Sequence, residues 1–257
     1  MTPELPAAGV ETPPPGPPSD PESLKTMTFL QHLEELRTTL VRLMILTAAA
    51  SCGAWFISDR LLTLLVAPDL GQVHYFGPTE GFMIRLKISV VVGLLVAMPL
   101  LLLQVWRFVA PGLFRHERRF VLPILLGSTG LFYFGVAFAY VGVVPKMMSF
   151  FLSFSGERLE PMINVTQYFA FVAKFSLAFG VIFQLPLVIV LLSWFGLVTP
   201  RQLWSKVRYG IIGIFVVAAW LTPPDAISQI MMAVPVVVLY LGSMGLAFLL
   251  AKKKRQR

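Results

Sequence analysis

Six stretches of this chain carry no charged residue at all: 43–58, 88–106, 120–145, 175–200, 209–224 and 226–251. A helix rises about 1.5 Å per residue, so about 20 apolar residues cross the roughly 30 Å of hydrocarbon in a bilayer. All but the first and fifth windows are near or above that length, and Arg42 can snorkel at the start of the first. The chain is 56% hydrophobic and 13% charged, with a mean hydropathy of +0.77. A soluble domain of 257 residues would have to cover itself with more charge. A transmembrane barrel would instead show ten-residue segments of alternating polarity. The expected fold is therefore an all-α polytopic membrane protein with six transmembrane helices. The fifth and sixth are separated by Pro223-Pro224-Asp225, a double proline and an acid that favour a tight turn over one continuous helix.

The charges that remain set an orientation. With the N-terminus inside, cytoplasmic segments collect 15 Lys and Arg residues. The opposite side receives 6: Arg60, Arg85, Lys87, Lys146, Arg158 and Lys174. That asymmetry puts both termini in the cytoplasm, N-in and C-in. It also accounts for the net charge of +8. The run Lys252-Lys-Lys-Arg255 reads as an anchor to anionic lipid, and no nucleic-acid partner is expected.

Three regions follow. Residues 1–22 hold eight prolines and read as a disordered cytoplasmic tail; with neither a basic start nor an apolar core, the tail does not read as a secretory leader. Residues 23–251 form the transmembrane domain, and 252–257 a basic cytoplasmic tail. Within the second region, Thr28-Phe-Leu-Gln31 has capping-box spacing. Phe29, Leu30, Leu33, Leu36 and Leu40 share one helical face, as in an amphipathic helix at the interface leading into the first span.

No Walker loop, dinucleotide fingerprint, HExxH or nucleophile elbow is present. His32, His74 and His116 lie in separate segments without ligand spacing, and Cys52 is the only cysteine. The chain is expected to be no enzyme and to need neither metal nor cofactor. Two cytoplasmic carboxylates stand out instead. Glu35 sits in His32-Leu-Glu-Glu-Leu-Arg37 and Glu117 in Arg115-His-Glu-Arg-Arg119. Each could pair with neighbouring arginines at the headgroup level. Both could equally offer carboxylates to guanidinium groups of a ligand, since arginine's planar fork binds a carboxylate through two bonds. Phe108 and Trp106 either wall such a site or belong to an interfacial aromatic belt. Glu80, in Pro78-Thr-Glu-Gly-Phe82, pairs with Arg85 or with solvent. Gln184 falls midway along the fourth span, where a polar side chain faces protein or water or bonds a neighbouring helix. Pro99, Pro123, Pro186 and Pro235 fall within spans and should bend or loosen the backbone.

In combination, these pieces resemble the TatC family, the multi-span core of the twin-arginine protein translocase. The resemblance rests on His32-Leu-Glu-Glu-Leu-Arg37, Pro78-Thr-Glu80, Gln104-Val-Trp106, Phe108-Val-Ala-Pro111, His116-Glu-Arg-Arg119 and Phe132-Tyr-Phe-Gly135. Phe179-Gly180 with Pro186, and Leu221-Thr-Pro-Pro-Asp225 with Ser228-Gln229, complete it. Each piece is weak alone; their order and loop placement are specific. The resemblance implies a concave, cupped arrangement of the six helices in the bacterial cytoplasmic (inner) membrane. It implies recognition of twin-arginine signal peptides on folded cargo by Phe108, Glu117 and Glu35. The implied partners are single-span subunits of TatA and TatB type, further copies of itself and membrane lipid, with the proton-motive force as driver. Thr222 and Gln229 match positions linked to partner contact, and Asp225 lies in the same turn. Many relatives carry Glu where Gln184 stands; Gln keeps hydrogen-bonding capacity but cannot titrate.

Two rivals make other demands. A secondary transporter of small solutes calls for paired broken helices and a charged midplane site; an intramembrane enzyme calls for a catalytic set at one depth. Neither pattern is visible. The uncharged fifth window, 16 residues or about 24 Å of helix, falls short of the hydrocarbon thickness and is expected to thin the bilayer locally.

Overall fold

The computed structural model describes residues 29–65, 73–109, 121–154, 162–194 and 196–255. Residues 1–28 and the 110–120 loop, which hold the proline-rich tail and Glu117, lie outside the described residues. The chain divides into two compact units, Met1–Thr38 and Thr39–Arg257. In the first, the described part is the opening of α1 (Phe29–Trp55), where the Thr38 hydroxyl donates to the Glu34 carbonyl at 2.9 Å. The helix starts one residue after Thr28, where the capping spacing predicts it.

Among its described residues the second unit is helical apart from one two-residue strand pair and the turns between elements. After α1 come α2 (Ser58–Leu65), β1 (Val73–His74) and α3 (Glu80–Val109). Then follow α4 (Val121–Phe138), a π-helical turn (Ala139–Val143), α5 (Val144–Leu152), β2 (Ile163–Asn164) and α6 (Val165–Ile182). The chain continues with α7 (Leu185–Trp194), α8 (Pro200–Ser205), α9 (Val207–Leu221) and α10 (Ala226–Arg255). Five segments are long and apolar enough to cross a membrane: Leu36–Trp55, Glu80–Trp106, Leu122–Leu152, Val165–Ser193 and Ala226–Leu249. The helix Val207–Leu221 is apolar but shorter. The double-proline turn separates α9 from α10, as the sequence predicts.

Proline chemistry explains the irregular places. Pro145 has no N–H to give and its ring crowds the carbonyl of Val141, which disturbs a regular helix at that point. The chain widens into the π turn just before Pro145 and resumes as α5. Pro186 stands second in α7, where its missing N–H costs nothing. The break before it, at Phe183 and Gln184, divides the fourth span into α6 and α7. Pro99 and Pro235 lie inside α3 and α10.

In lipid no hydrophobic force pulls helices together, so close packing has to hold them. The main core joins the π turn, α5, α6, α9 and α10 through Ala139, Met147, Phe175, Phe179, Phe183, Ala218, Met232 and Val236, with Phe138 of α4 packed against it. Two glycines let α4 and α6 meet. A Cβ at Gly135 would lie 2.6 Å from the Phe179 carbonyl oxygen, and one at Gly180 2.6 Å from the Phe132 ring. A second cluster, Ile84, Ile88, Val165, Phe169 and Ala173, joins α3 to α6.

Beside that cluster β1 pairs with β2 in parallel, Val73 opposite Ile163 and His74 opposite Asn164. Asn164 caps α6, accepting from the Gln167 N–H at 2.9 Å. Its amide nitrogen donates to both oxygens of Glu80 at 3.0 Å, and Glu80 also accepts from the Phe76 N–H at 2.9 Å. Glu80 thus ties the loop before α3 to the start of α6. Arg85, the partner considered for it, pairs with Asp59 at 2.8 Å instead. Glu80→Ala is expected to lower stability by about 1–3 kcal/mol, because two donors at a part-buried site lose their acceptor. Unfolding in detergent measures this, and an unchanged midpoint would deny the tie a structural role.

Candidate functional site

The sequence places its candidate residues in two groups. Of the first, Glu117 lies outside the described residues, and Glu35 and Phe108 lie on helix backbone, in α1 and near the end of α3, with side chains outside them. The second group, Gln184, Thr222, Asp225 and Gln229, is described in full.

Gln184 sits in the break between α6 and α7, where its carbonyl accepts from the Val188 N–H at 3.0 Å and begins the next helix. Its side-chain nitrogen donates to the Ser128 carbonyl at 2.9 Å. The Ser128 hydroxyl in turn accepts from the Trp106 indole at 3.2 Å and donates to the Leu125 carbonyl at 3.1 Å. A polar thread therefore runs from α3 through α4 to the α6–α7 break. The Gln184 Oε1 is buried without a partner among the described residues. Trp106 is thus an anchor between helices as well as an aromatic near the end of α3. Ser128 was not a sequence candidate. Its only signal is that a small polar residue in an otherwise apolar helix tends to bond a neighbouring helix.

Thr222, Asp225 and Gln229 do come together, around the turn between α9 and α10. Thr222 is buried and its hydroxyl donates to the Ala218 carbonyl at 2.9 Å. Asp225 caps α10: its Oδ1 accepts from the Ser228 N–H at 2.7 Å. The Gln229 amide donates to the Phe215 carbonyl at 3.1 Å, binding α10 to α9. Asp225 Oδ2 and the Ser228 hydroxyl are buried with no partner among the described residues. Between α7, α9 and α10 lies an apolar cavity of about 410 Å³, lined in part by Leu185, Gly213, Val217, Met232, Val236 and Tyr240. Its lining suits an apolar helix or chain. Among the described residues no group of His, Cys, Asp and Glu could hold a metal ion.

Comparison with known proteins gives this arrangement a family setting. The model of the family Sec-independent protein translocase protein (TatC) matches residues 31–235. A TatC protein of Desulforapulum autotrophicum is 40% identical over 232 residues, spanning 88% of this chain and 86% of that protein. One from Koribacter versatilis is 37% identical over 246 residues, with 92% and 90% covered. The Escherichia coli K12 protein is 37% identical over 222 residues, with 84% and 86% covered. The crystal structure of a twin arginine translocase receptor, TatC, superposes with a TM-score of 0.77 at 38% identity, covering 85% of this chain and 98% of that one.

Proposed function

The chain belongs to the TatC family of Sec-independent protein translocase proteins, and on that footing we propose that it receives the twin-arginine signal peptides of folded cargo at its cytoplasmic face. As a translocase component it serves protein transport across a membrane. The likeness to a twin arginine translocase receptor over 85% of the chain carries the reading. The chemistry of Glu117 and Glu35 supports it: Glu117 stands among Arg115, Arg118 and Arg119, Glu35 beside Glu34, and both are carboxylates suited to the fork of a guanidinium. Phe108 adds an aromatic face on the same cytoplasmic side. The 15-to-6 distribution of basic residues supports both termini lying in the cytoplasm, with the chain in the bacterial inner membrane.

Partner assembly is the second half of the reading. Subunits of TatA and TatB type, each with one span, would lie along α9 and α10, where the cavity receives apolar side chains. The Asp225 Oδ2, the Ser228 hydroxyl and Gln184 Oε1 are buried without a partner among the described residues, so a partner helix or an inserted signal would reach them as the packing opens. The absence of any nucleotide-binding motif in the sequence agrees with the proton-motive force as driver.

The test is binding of a twin-arginine signal peptide and its twin-lysine form to the purified chain in nanodiscs. Selective binding of the arginine form is expected; equal binding of both rejects the receptor role. The 15 residues of α9 span about 22 Å, which supports a thinned bilayer beside them. Inserting one helical turn into α9 is expected to cut export several-fold with peptide binding unchanged. Normal export by that variant removes the thinning from the mechanism.

A further inference from the structure

Two charges that bound the uncharged windows, Lys146 and Lys174, stand inside helices α5 and α6, and both are exposed. A third exposed lysine, Lys87, stands on α3. Packing puts the three at one level. Each is the chain neighbour of a buried residue: Ile88, Met147 or Ala173. Ile88 and Ala173 share one cluster; the Phe151 ring of α5 meets the Phe171 ring of α6 at 6.2 Å, and one turn back along α5 lies Met147, in the same core cluster as Phe175.

That level coincides with a bilayer's edge. Nineteen residues separate Lys87 from Trp106 and Lys174 from Ser193, the far ends of their spans, about 28 Å in each case. The same nineteen separate Leu122 from Val141. Yet the segments Leu122–Leu152 and Val165–Ser193 contain 31 and 29 residues, about 45 Å of helix against about 30 Å of hydrocarbon. Tilting could absorb such an excess, but it would demand an apolar outer surface to the very end. The outer surface of α5 and α6 turns from apolar to mixed instead, while α3 keeps Phe82, Met83 and Leu86 exposed beyond Lys87. On α4 and the π turn it shows Leu122, Leu126, Phe134 and, 73% exposed, Val141. From Lys146 onward it is mixed, with Ser149 and Ser153 exposed beside Phe154, which is 70% exposed. On α6 Val181 is exposed on one side of Lys174 and Gln167 on the other.

None of the three ammonium groups has an ion pair or hydrogen bond among the described residues. The one ion pair there joins Arg85 to Asp59, and the Glu80 carboxylate is held by Asn164 and the Phe76 N–H. We propose that Lys87, Lys146 and Lys174 form a belt that binds the phosphates of anionic phospholipids in the leaflet at the β1–β2 end. The belt fixes how deep the helices sit and leaves α5 and the first turns of α6 projecting beyond the hydrocarbon. A lysine near an anionic surface gains about fivefold in attraction. Three together should exceed about tenfold after the cost of ordering long side chains. This assignment rests on helix lengths and packing, and it holds whichever face the signal-binding loop occupies.

The experiment uses the full chain in nanodiscs of phosphatidylcholine doped with headgroup-photoreactive phosphatidylglycerol, with crosslinks mapped by mass spectrometry. Crosslinks around residues 140–175 are expected. They should fall about tenfold in K87Q/K146Q/K174Q and stay unchanged in K252Q/K253Q/K254Q, which removes equal charge from the tail. The single variant K174Q, with about a fivefold fall, serves if the triple variant does not fold. Three results overturn the belt: unchanged crosslinking in the belt variants, equal crosslinking with a photoreactive phosphatidylcholine, or loss of crosslinks to excess inorganic phosphate, which would assign the lysines to a soluble anion. If Glu157 or Glu160 neutralises the lysines, the wild type shows no preference for the anionic lipid, and the belt fails in that way.

Discussion

Glu117→Ala is expected to weaken binding of a twin-arginine signal peptide by about 10- to 100-fold while leaving the twin-lysine form almost untouched. The reasoning starts from the geometry of the two cations. A guanidinium presents paired N–H donors that meet both oxygens of one carboxylate, and such charge-assisted bonds contribute about 1.5–3 kcal/mol together. An ammonium is a point charge and cannot use the second oxygen in the same way. Removing the carboxylate therefore removes the arginine preference itself, beyond a general loss of attraction. Glu35→Ala should act in the same direction on the second arginine. A cycle over peptide and protein variants separates the cases: coupling of about 1 kcal/mol or more between Glu117 and the paired arginines marks direct contact. If Glu117 only pairs with Arg115, Arg118 or Arg119, its loss would leave the ratio of arginine to lysine binding where it was.

The long apolar helices were legible because a charge inside hydrocarbon is costly, so charge-free windows trace them. The same logic misplaces the helix ends. Lys146 and Lys174 bound the windows, yet α5 and α6 run past them, because a helix that continues beyond the hydrocarbon is free to carry charge. The π turn before Pro145 and the break at Gln184 leave local marks, a proline a few residues on, but a proline alone does not say whether the helix bends, widens or stops. Glu80 was visible as a candidate, but its partner was not: Asn164 lies 84 positions away, and only the pairing of β1 with β2 brings them together. For the site, Thr222, Asp225 and Gln229 gather around one turn because they are close in sequence, which is why motif reading finds them. Ser128 joins Trp106 to Gln184 across three helices, and no spacing within one helix announces it.

Gly135→Ala is expected to destabilise the chain by about 1–3 kcal/mol, at the upper end of that range, although alanine is the better helix former. On propensity alone the change would stabilise an interior helical position by up to about 1 kcal/mol. Space reverses the sign. The new methyl would lie 2.6 Å from the Phe179 carbonyl oxygen and 2.9 Å from the Cβ and Cγ of Phe183. Backbone on α6 cannot swing aside as a side-chain tip can, so the α4–α6 contact itself has to open. Phe179, fully buried, and Phe183 would both lose partners in the core. Where helices associate by contact alone, that loss is direct. Gly127 and Gly130 on the same helix provide the comparison, since a Cβ at either meets nothing within 4 Å. Gly127→Ala and Gly130→Ala should leave stability unchanged or raise it slightly. Unfolding of the three variants in detergent therefore tests the contact and not the residue type: a cost at Gly135 alone confirms close approach of α4 and α6, and equal behaviour of all three would show that the helices are not held at that distance.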